Sequence, residues 1–463
     1  MKSLLPIVPL LWSACFSFAL ANAVRPVVEI EEDVYTYQSA NNGAGPMWCA
    51  GSTCLVRIGE EVFASGLETL QDAKPLNNCR WMLFKRGPSG WEKIRVDDTG
   101  RSREPSPMAA FADGRLFLSA NPTLASPSQE GGGPARPEIV VFSAKNPKAP
   151  AETLLPAWDG KPRFTEHSYR SFAADASNRE LILFQNIDYT HAEWAFLDRE
   201  GRWSAQGQLK WPWGADYDKP QPIRVCYANV ALKNRAVYFC GVSDIVEPNL
   251  KWREFKKQIT GRDWDYDFRR LFFTWTPDIT REKFRDWIEI ASRDQTAGWL
   301  FPADLWVASD GAVHLLWTER ALDERLREKF LPAARQSYAL NHAVVRDGKI
   351  ASRRALLRTG DGGPREIPSA ARFQVTPENR LFVFYYVHGQ DATGKPISEN
   401  RLVELEPNGM PGPAWKVPLK APFTSFFTAT PRAGSPPSNT LELLGQQAGK
   451  LQTISYARIR IGM

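Results

Sequence analysis

One pattern recurs along this chain and limits its possible folds more than any other feature. It is a short apolar strand, a tight polar turn, and a second strand rich in β-branched and aromatic residues. It reads TCLVRIGEEVFAS around Gly59, MAAFADGRLFLSA around Asp113-Gly114, and SFAADASNRELILFQN around Ser177-Asn178. It returns as ANVALKNRAVYFCG around Lys233-Asn234, DLWVASDGAVHLLW around Asp310-Gly311, and FQVTPENRLFVFYY around Glu378-Asn379. A looser seventh copy, FTATPRAGSPPSNTLELLG, lies near the end. Asp-Gly and Asn-containing turns between such runs mark hairpins, because these residues accept the positive φ the turn requires.

The six clear turns fall 54 to 77 residues apart. Each interval holds a later pair of strand candidates, such as PEIVVFSAKN from Pro137 or HAEWAFLDREGRW from His191. Four strands per unit, repeated about seven times, predict an all-β fold: a seven-bladed β-propeller of four-stranded blades with small helical insertions. The strand VVEIEEDVYTY, from Val27 to Tyr37, precedes the first unit. It is available to complete the last blade and so remove an exposed sheet edge. The segment from Leu322 to Arg335 places Leu322, Leu326 and Phe330 on one helical face. A second, basic helix or loop is expected from Asn249 to Thr260, with Lys251, Arg253, Lys256 and Lys257 on a solvated face. Gly131-Gly132-Gly133-Pro134 reads as a loop inside one blade, and no linker divides the chain.

The first residues read as a signal peptide. Lys2 is followed by an apolar run from Leu4 to Leu20 and by Ala21-Asn22-Ala23, a small-x-small cleavage pattern. Cleavage there leaves residues 24–463 as one propeller domain, expected to be secreted or periplasmic and monomeric. No other stretch is apolar enough for a membrane span. A net charge of +6 over 463 residues is too dilute to argue for nucleic acid. Charged residues at 24% and aromatics at 12% exclude a disordered chain. Cys15 lies in the leader, and Trp12, three residues before it, does not fit a lipidation site. Of the remaining cysteines, Cys226 and Cys240 flank one predicted hairpin, and Cys54 and Cys79 could tie another, leaving Cys49 odd. The pairing itself is not deducible from five cysteines.

Propeller geometry turns the repeat into a map. Residues before each inner strand and after each second strand share the face opposite the tight turns, where loops on a rigid frame hold binding groups. Those positions hold Trp48 and Glu68 in blade 1, and His167, Tyr169, Asp188, Tyr189 and His191 in blade 3. Blade 4 supplies Arg224, Tyr227, Asp244 and Glu247, and blade 5 supplies Asp304, Glu319 and Arg320. Blade 3 stands out, because two of the chain's five histidines bracket one hairpin there.

The segment EHSYRSFAADASNRELILFQNIDYTH, Glu166 to His191, resembles a segment of BNR-type seven-bladed propellers, which include the propeller ulvan lyases and related enzymes acting beside uronic acid or rhamnose. The resemblance implies that His167 and His191 occupy two site positions. Tyr169, Tyr227 and Arg224 join them as catalytic candidates by position on the face. The chain is similar to sialidases in architecture, but it carries no S-x-D-x-G-x-x-W box; SDGAVHLLW from Ser309 comes nearest.

Three functions are then expected in order. The first is a polysaccharide lyase that performs β-elimination at a uronic acid. In that scheme His167 or Tyr169 is the base, His191 the partner or acid, and Arg224 the carboxylate clamp. The second is a glycoside hydrolase, which needs two carboxylates; Glu68, Asp188, Asp304 and Glu319 qualify by position, with Arg320 beside them as a substrate contact. The third is a glycan-binding propeller without turnover, in which funnel aromatics stack on sugar rings. Of the tryptophans, Trp211, Trp213, Trp264, Trp275 and Trp317 read mainly as packing. No cofactor is implied. A structural divalent cation could use Asp216-Tyr217-Asp218 or the acids from Asp263 to Asp267, although neither follows an EF-hand spacing. No zinc spacing, phosphate loop or nucleophile elbow occurs. The expected partner is a polysaccharide or oligosaccharide.

Overall fold

The computed structural model describes residues 25–363 and 365–462. The leader-like segment, with Cys15, lies outside them. Seven four-stranded antiparallel sheets make the blades of a propeller. Their inner strands are Leu55–Ile58, Met108–Ala110, Arg170–Asp175, Val225–Lys233, Trp299–Val307, Arg365–Val375 and Phe423–Thr428. Each touches the next, and the seventh touches the first, so the ring is closed. The closure is made as the sequence predicts. Arg25–Thr36 is the outermost strand of blade 7, paired antiparallel along Thr453–Gly462 from Arg25 opposite Gly462 to Thr36 opposite Thr453.

Seven apolar clusters fill the wedges between blades, one to each neighbouring pair. Blade 3 shows how strand alternation feeds two wedges at once. Phe172, Leu181 and Leu183 face blade 2 against Phe117 and Ile139. Ile182, Phe184 and Phe196, of opposite parity, face blade 4 against Phe239. A strand buried on both faces needs apolar residues at nearly every position, and LILF at 181–184 is such a run.

At one end of the ring, six inner hairpins turn within a few residues. Gly59, Gly114 and Gly311 take φ of 56°, 93° and 83° there, and Asn234-Arg235 takes positive φ at both residues. The seventh connection is different. It enters the channel as a single 3-10 turn, Pro431–Ala433. Arg432 donates to Asp304 Oδ1 at 2.9 Å, the Gly51 carbonyl at 2.7 Å and Asn229 Oδ1 at 3.0 Å. From the other end the segment Ala50–Thr53 runs in to meet it. A Cβ on Gly51 would lie 2.2 Å from the Ala228 carbonyl oxygen, so only glycine passes there. The channel is thus filled by chain, and the opposite end is a funnel with a floor.

Two helices stand on the funnel side: α1 (Leu250–Thr260), capped by Asn249 and Gly261, and α2 (Glu324–Phe330), capped by Asp323. The second is shorter than the periodicity predicts, because Pro332 keeps the preceding residue out of helical conformation. Phe330 packs edge-on against Phe255 of α1 at 5.4 Å. One sequence reading is corrected here. Lys256 is not on a solvated face but 4% exposed, bound to Glu247 at 2.7 Å, Asp265 at 3.0 Å and Asp323 at 3.4 Å. Its partners come from three separate segments, which helical spacing alone does not reveal.

The cysteine pairs suggested by the hairpins do not form. Cys226 lies opposite Val242 and Cys240 opposite Asn229. Cys226 is 3.2 Å from Asn186 of blade 3, whereas Cys240 packs in the wedge toward blade 5, on the other side of the sheet. Cys79 contacts Asn42 rather than Cys54. No helix among the described residues is long and apolar enough to cross a membrane. Nor do those residues contain three His, Cys, Asp or Glu grouped to hold a metal ion. Four of the five acids of the two candidate loops are instead engaged by cations, and Asp218 accepts from the Leu250 amide at 2.8 Å. Asp216 pairs with Arg270 at 3.4 Å, Asp263 with Lys257 at 2.8 Å and Asp267 with Arg269 at 3.0 Å.

Candidate functional site

The longest connections open on the funnel side, and their side chains converge over blades 2 to 5. Tyr227 is the centre. It sits at a bulge in the inner strand of blade 4 with a φ of 53°. A bulky side chain at positive φ is strained, and such strain concentrates at functional sites. Its ring meets Tyr169 at 5.4 Å, Phe301 at 5.3 Å, Phe268 at 5.8 Å and Trp48, edge-on, at 6.2 Å. Phe301 in turn stacks on Trp299 at 5.4 Å, extending one aromatic wall from blade 3 to blade 5.

Cations lie along that wall. The Arg224 guanidinium is 4.0 Å over the Tyr189 ring and 5.7 Å from the rings of Tyr169 and Tyr266. Tyr189 and Tyr266 share a hydrogen bond of 2.8 Å between their hydroxyls. Buried Asp244 balances the Arg224 charge at 3.0 Å, and its carbonyl accepts from Nε at 2.9 Å. At the other end of the cluster Arg103 lies 6.0 Å over Trp48, is paired with Glu104 at 3.1 Å, and reaches His167 Nδ1 at 2.8 Å. A guanidinium carries only donors, so His167 Nδ1 accepts and the ring proton sits on Nε2. Burial and the Arg103 charge both lower the His167 pKa, so this imidazole is neutral near pH 7. Burial pushes the Tyr169 phenol up to about 12, which keeps it a proton donor. Burial also pushes the Glu104 carboxyl up to about 7, against the pull of Arg170 and Arg103.

Beyond Phe301 the funnel deepens into a cavity of about 450 Å³ between blades 5, 6 and 7. Trp299, Phe301 and Tyr338 line it, with Arg320, Arg372 and Glu319 as the charged groups. Arg320 has no carboxylate partner within salt-bridge distance among the described residues, and its Nε is buried without an acceptor. Arg372 spends its donors on the carbonyls of Ala303, Ala371 and Ala50. Burial, opposed by Asp304, brings its pKa down to about 10.

The residues expected from sequence divide sharply. Tyr169, Arg224 and Tyr227 are brought together, with His167 at the margin through Arg103 and Trp48. His191 is not with them. Ala192 and Trp194 face blade 4, so His191 faces blade 2, and its two ring nitrogens are held by Thr190 at 2.7 Å and Glu193 at 3.0 Å. Among the acids, Glu68 is paired with Arg80 at 2.6 Å. Glu319 is bound by Arg293 and by Asn341. Asp304 is 1% exposed in the floor, between Arg432 and the Phe373 amide. Asp188 stands exposed and unpaired at a hairpin tip with a φ of 42°. Of the tryptophans, Trp317 and Trp211 are buried, but Trp213 and Trp264 are 59% and 62% exposed on the funnel-side loops.

Sequence reasoning missed Arg103, Glu104, Tyr266, Trp299, Phe301 and Arg372. The signal for Arg103 was present, because it lies in the connection that leads to the inner strand of blade 2. Trp299 and Phe301 are on an inner strand itself and read as core.

No family model matches the chain, and no curated protein matches it. Solved structures resemble it at low identity. A protein of unknown function from Dyadobacter fermentans aligns at 12% identity and a TM-score of 0.45, covering 95% of this chain and 99% of that one. The GH93 alpha-L-arabinofuranosidase of Fusarium graminearum, in complex with arabinobiose, aligns at 9% and 0.45 over 93% and 98%. The alpha-L-arabinanase of Penicillium chrysogenum aligns at 10% and 0.43 over 94% and 98%.

Proposed function

We propose that this propeller acts on an anionic carbohydrate, as a polysaccharide lyase performing β-elimination at a uronic acid. One observation carries the reading: arginines and phenols converge on the aromatic wall of the funnel, while Glu68, Asp304 and Glu319, the acids expected there besides Asp188, are already tied to cations or amides. Hydrolysis by a carboxylate pair needs two acids free to face one bond. Elimination needs a neutralised substrate carboxylate, a base and a proton donor.

In this scheme the uronate carboxylate lies against Arg224 and Arg103 and draws Arg103 off His167 Nδ1. That frees the only lone pair of the neutral imidazole, which takes the C5 proton. The C–H electrons become the C4–C5 double bond, the C4–O bond breaks, and the departing oxygen takes the Tyr169 proton. Tyr169 then recovers a proton from solvent, and His167 releases the one it took, so no net proton is consumed. Arg320, lacking a protein counter-ion, holds a second anionic residue of the chain, with Trp299 and Phe301 as stacking surfaces. Export, suggested by the leader-like first residues, would bring the protein to extracellular polymers; a secreted product starting at Val24 is the expected N-terminal sequence.

The test is a panel of uronate-containing polysaccharides, read for unsaturated uronate absorbance and for reducing ends. Absorbance that is lost in Tyr169→Phe and weakened about tenfold in kcat/KM in Arg320→Gln supports the reading. Reducing ends without absorbance would replace it with a hydrolase. Binding without turnover, unaltered by Tyr169→Phe, would leave a glycan-binding module.

A further inference from the structure

Cys49 and Cys54 differ from the other cysteines. Their sulfurs are 3.3 Å apart, and among the described residues no other two cysteine sulfurs are in contact. The chain between them is pinned at each step. The Ser52 amide donates to the Cys49 carbonyl at 2.9 Å, a tight turn that folds Cys54 back beneath Cys49. Gly51 is pressed against Ala228, and the Ser52 hydroxyl accepts from the Phe172 amide at 3.2 Å. The Thr53 hydroxyl donates to the Thr428 carbonyl at 2.8 Å and accepts from the Leu55 amide at 3.1 Å. Bond formation needs the sulfurs to close by about 1.3 Å.

We propose that Cys49 and Cys54 form a disulfide in the native protein, made by exchange with a disulfide donor. Cys54 is 1% exposed and Cys49 is partly exposed, so Cys49 reacts first. Its thiolate attacks one sulfur of the donor, forms a mixed disulfide and releases one donor thiol. The Cys54 thiolate then displaces the second donor sulfur. The two cysteine protons end on the two donor sulfurs, two cysteines are oxidised, and the donor leaves as two thiols, reduced by two electrons. The cross-link closes a ring of six residues whose carbonyls hold the floor of the funnel. The Ala50 oxygen accepts from Arg372 at 2.9 Å and the Gly51 oxygen from Arg432 at 2.7 Å. Trp48, next to Cys49, packs on Tyr227. The disulfide thus fixes the turn that joins the floor to the aromatic wall.

The experiment uses the full chain equilibrated with excess oxidised glutathione, then denatured, alkylated without reductant and digested with trypsin. Both cysteines fall in one tryptic peptide ending at Arg57. A peptide lighter by two hydrogens that takes no alkyl group until reduced is the expected result, with Cys79, Cys226 and Cys240 alkylated at once. Two alkyl groups on that peptide, a glutathione adduct on Cys49 alone, or a link to Cys79 would each overturn the proposal. A second measurement compares melting with and without reductant. Reduction is expected to lower the wild-type Tm by a few degrees and to leave a Cys49→Ser, Cys54→Ser double variant unmoved. Equal Tm in both wild-type samples would also count against it. Neither readout depends on the reaction proposed for the funnel.

Discussion

At one end of the ring, six of the seven inner hairpins close in two to five residues. At the other, the chain makes excursions as long as 244–269 and 321–336. The charged groups follow the same division. The turn end sends Arg432 into the channel, where it and Asp304 of the floor form a mutually satisfied pair, and holds His314 bonded to His342 at 3.0 Å between blades 5 and 6. The funnel end holds Tyr227 at a strained φ, an orphaned Arg320 Nε, and the His167 imidazole between Arg103 on Nδ1 and Glu166 3.5 Å from Nε2. Groups whose partners are complete stabilise a fold. Groups left strained or incomplete are available to a ligand. Substitutions at the two ends should therefore separate stability from activity.

The largest effect is expected at the turn end. Arg432→Ala removes the cation from Asp304, which is 1% exposed and keeps only its amide contacts. Breaking a buried pair from one side costs about 3–5 kcal/mol. Denaturant unfolding should show that loss, and activity per folded molecule should stay within about twofold of wild type. The converse is Tyr169→Phe at the funnel end. It deletes one hydroxyl from the wall and should cut turnover about 100-fold, the lower range for a lost proton donor, with no shift in Tm. Equal losses of stability in both variants would erase the distinction between the ends.

Acid should act on the turn end first. Burial brings His314 down to about 4, and burial together with the neighbouring His314 brings His342 down to about 3. Unfolded, both titrate near 6.5. Between those values the two histidines bind more protons in the unfolded chain than in the folded one, so their contribution to stability rises with pH from about 4 to 6.5 and is level above. Moving from pH 7 to pH 5 should remove about 4 kcal/mol of the stability these two histidines contribute, about 2 from each, and His342→Gln should about halve their slope.

The two ends were also unequally legible in the sequence. The turn end is written locally. Alternation fixes each strand, Gly114 and Gly311 fix the turns, and a leftover strand at Arg25–Thr36 can only close the ring. The funnel was legible where a residue abuts a strand, as with Tyr169, Arg224 and Tyr227. It was not legible where contacts come from distant segments. Arg103 meets His167 across 64 residues, and Arg432 meets Asp304 across 128. His191 shows the limit of the positional rule. It lies on the correct face of the ring, but strand alternation turns it toward blade 2. The cysteines fail for a related reason: adjacency in a predicted hairpin says nothing about which side of the sheet each sulfur takes, whereas the Cys49–Cys54 contact depends on a turn outside any strand.

The smallest effect tests whether backbone demand, rather than packing, distinguishes the two ends. Gly114 and Gly45 both have open space where a Cβ would go. Gly114 is in a tight turn with a φ of 93°, and Gly45 is in a funnel-side loop without a positive φ. Alanine at Gly114 meets no atom, so its whole cost is conformational, about 1 kcal/mol. Alanine at Gly45 adopts the existing backbone without strain and narrows the unfolded ensemble, so it should be neutral or stabilising by up to about 1 kcal/mol. Side-by-side urea unfolding of the two variants reads the difference directly. If Gly114→Ala proved as stable as Gly45→Ala, the turns would not be what holds the hairpins in register. The ring would then owe its stability to the wedges between blades alone.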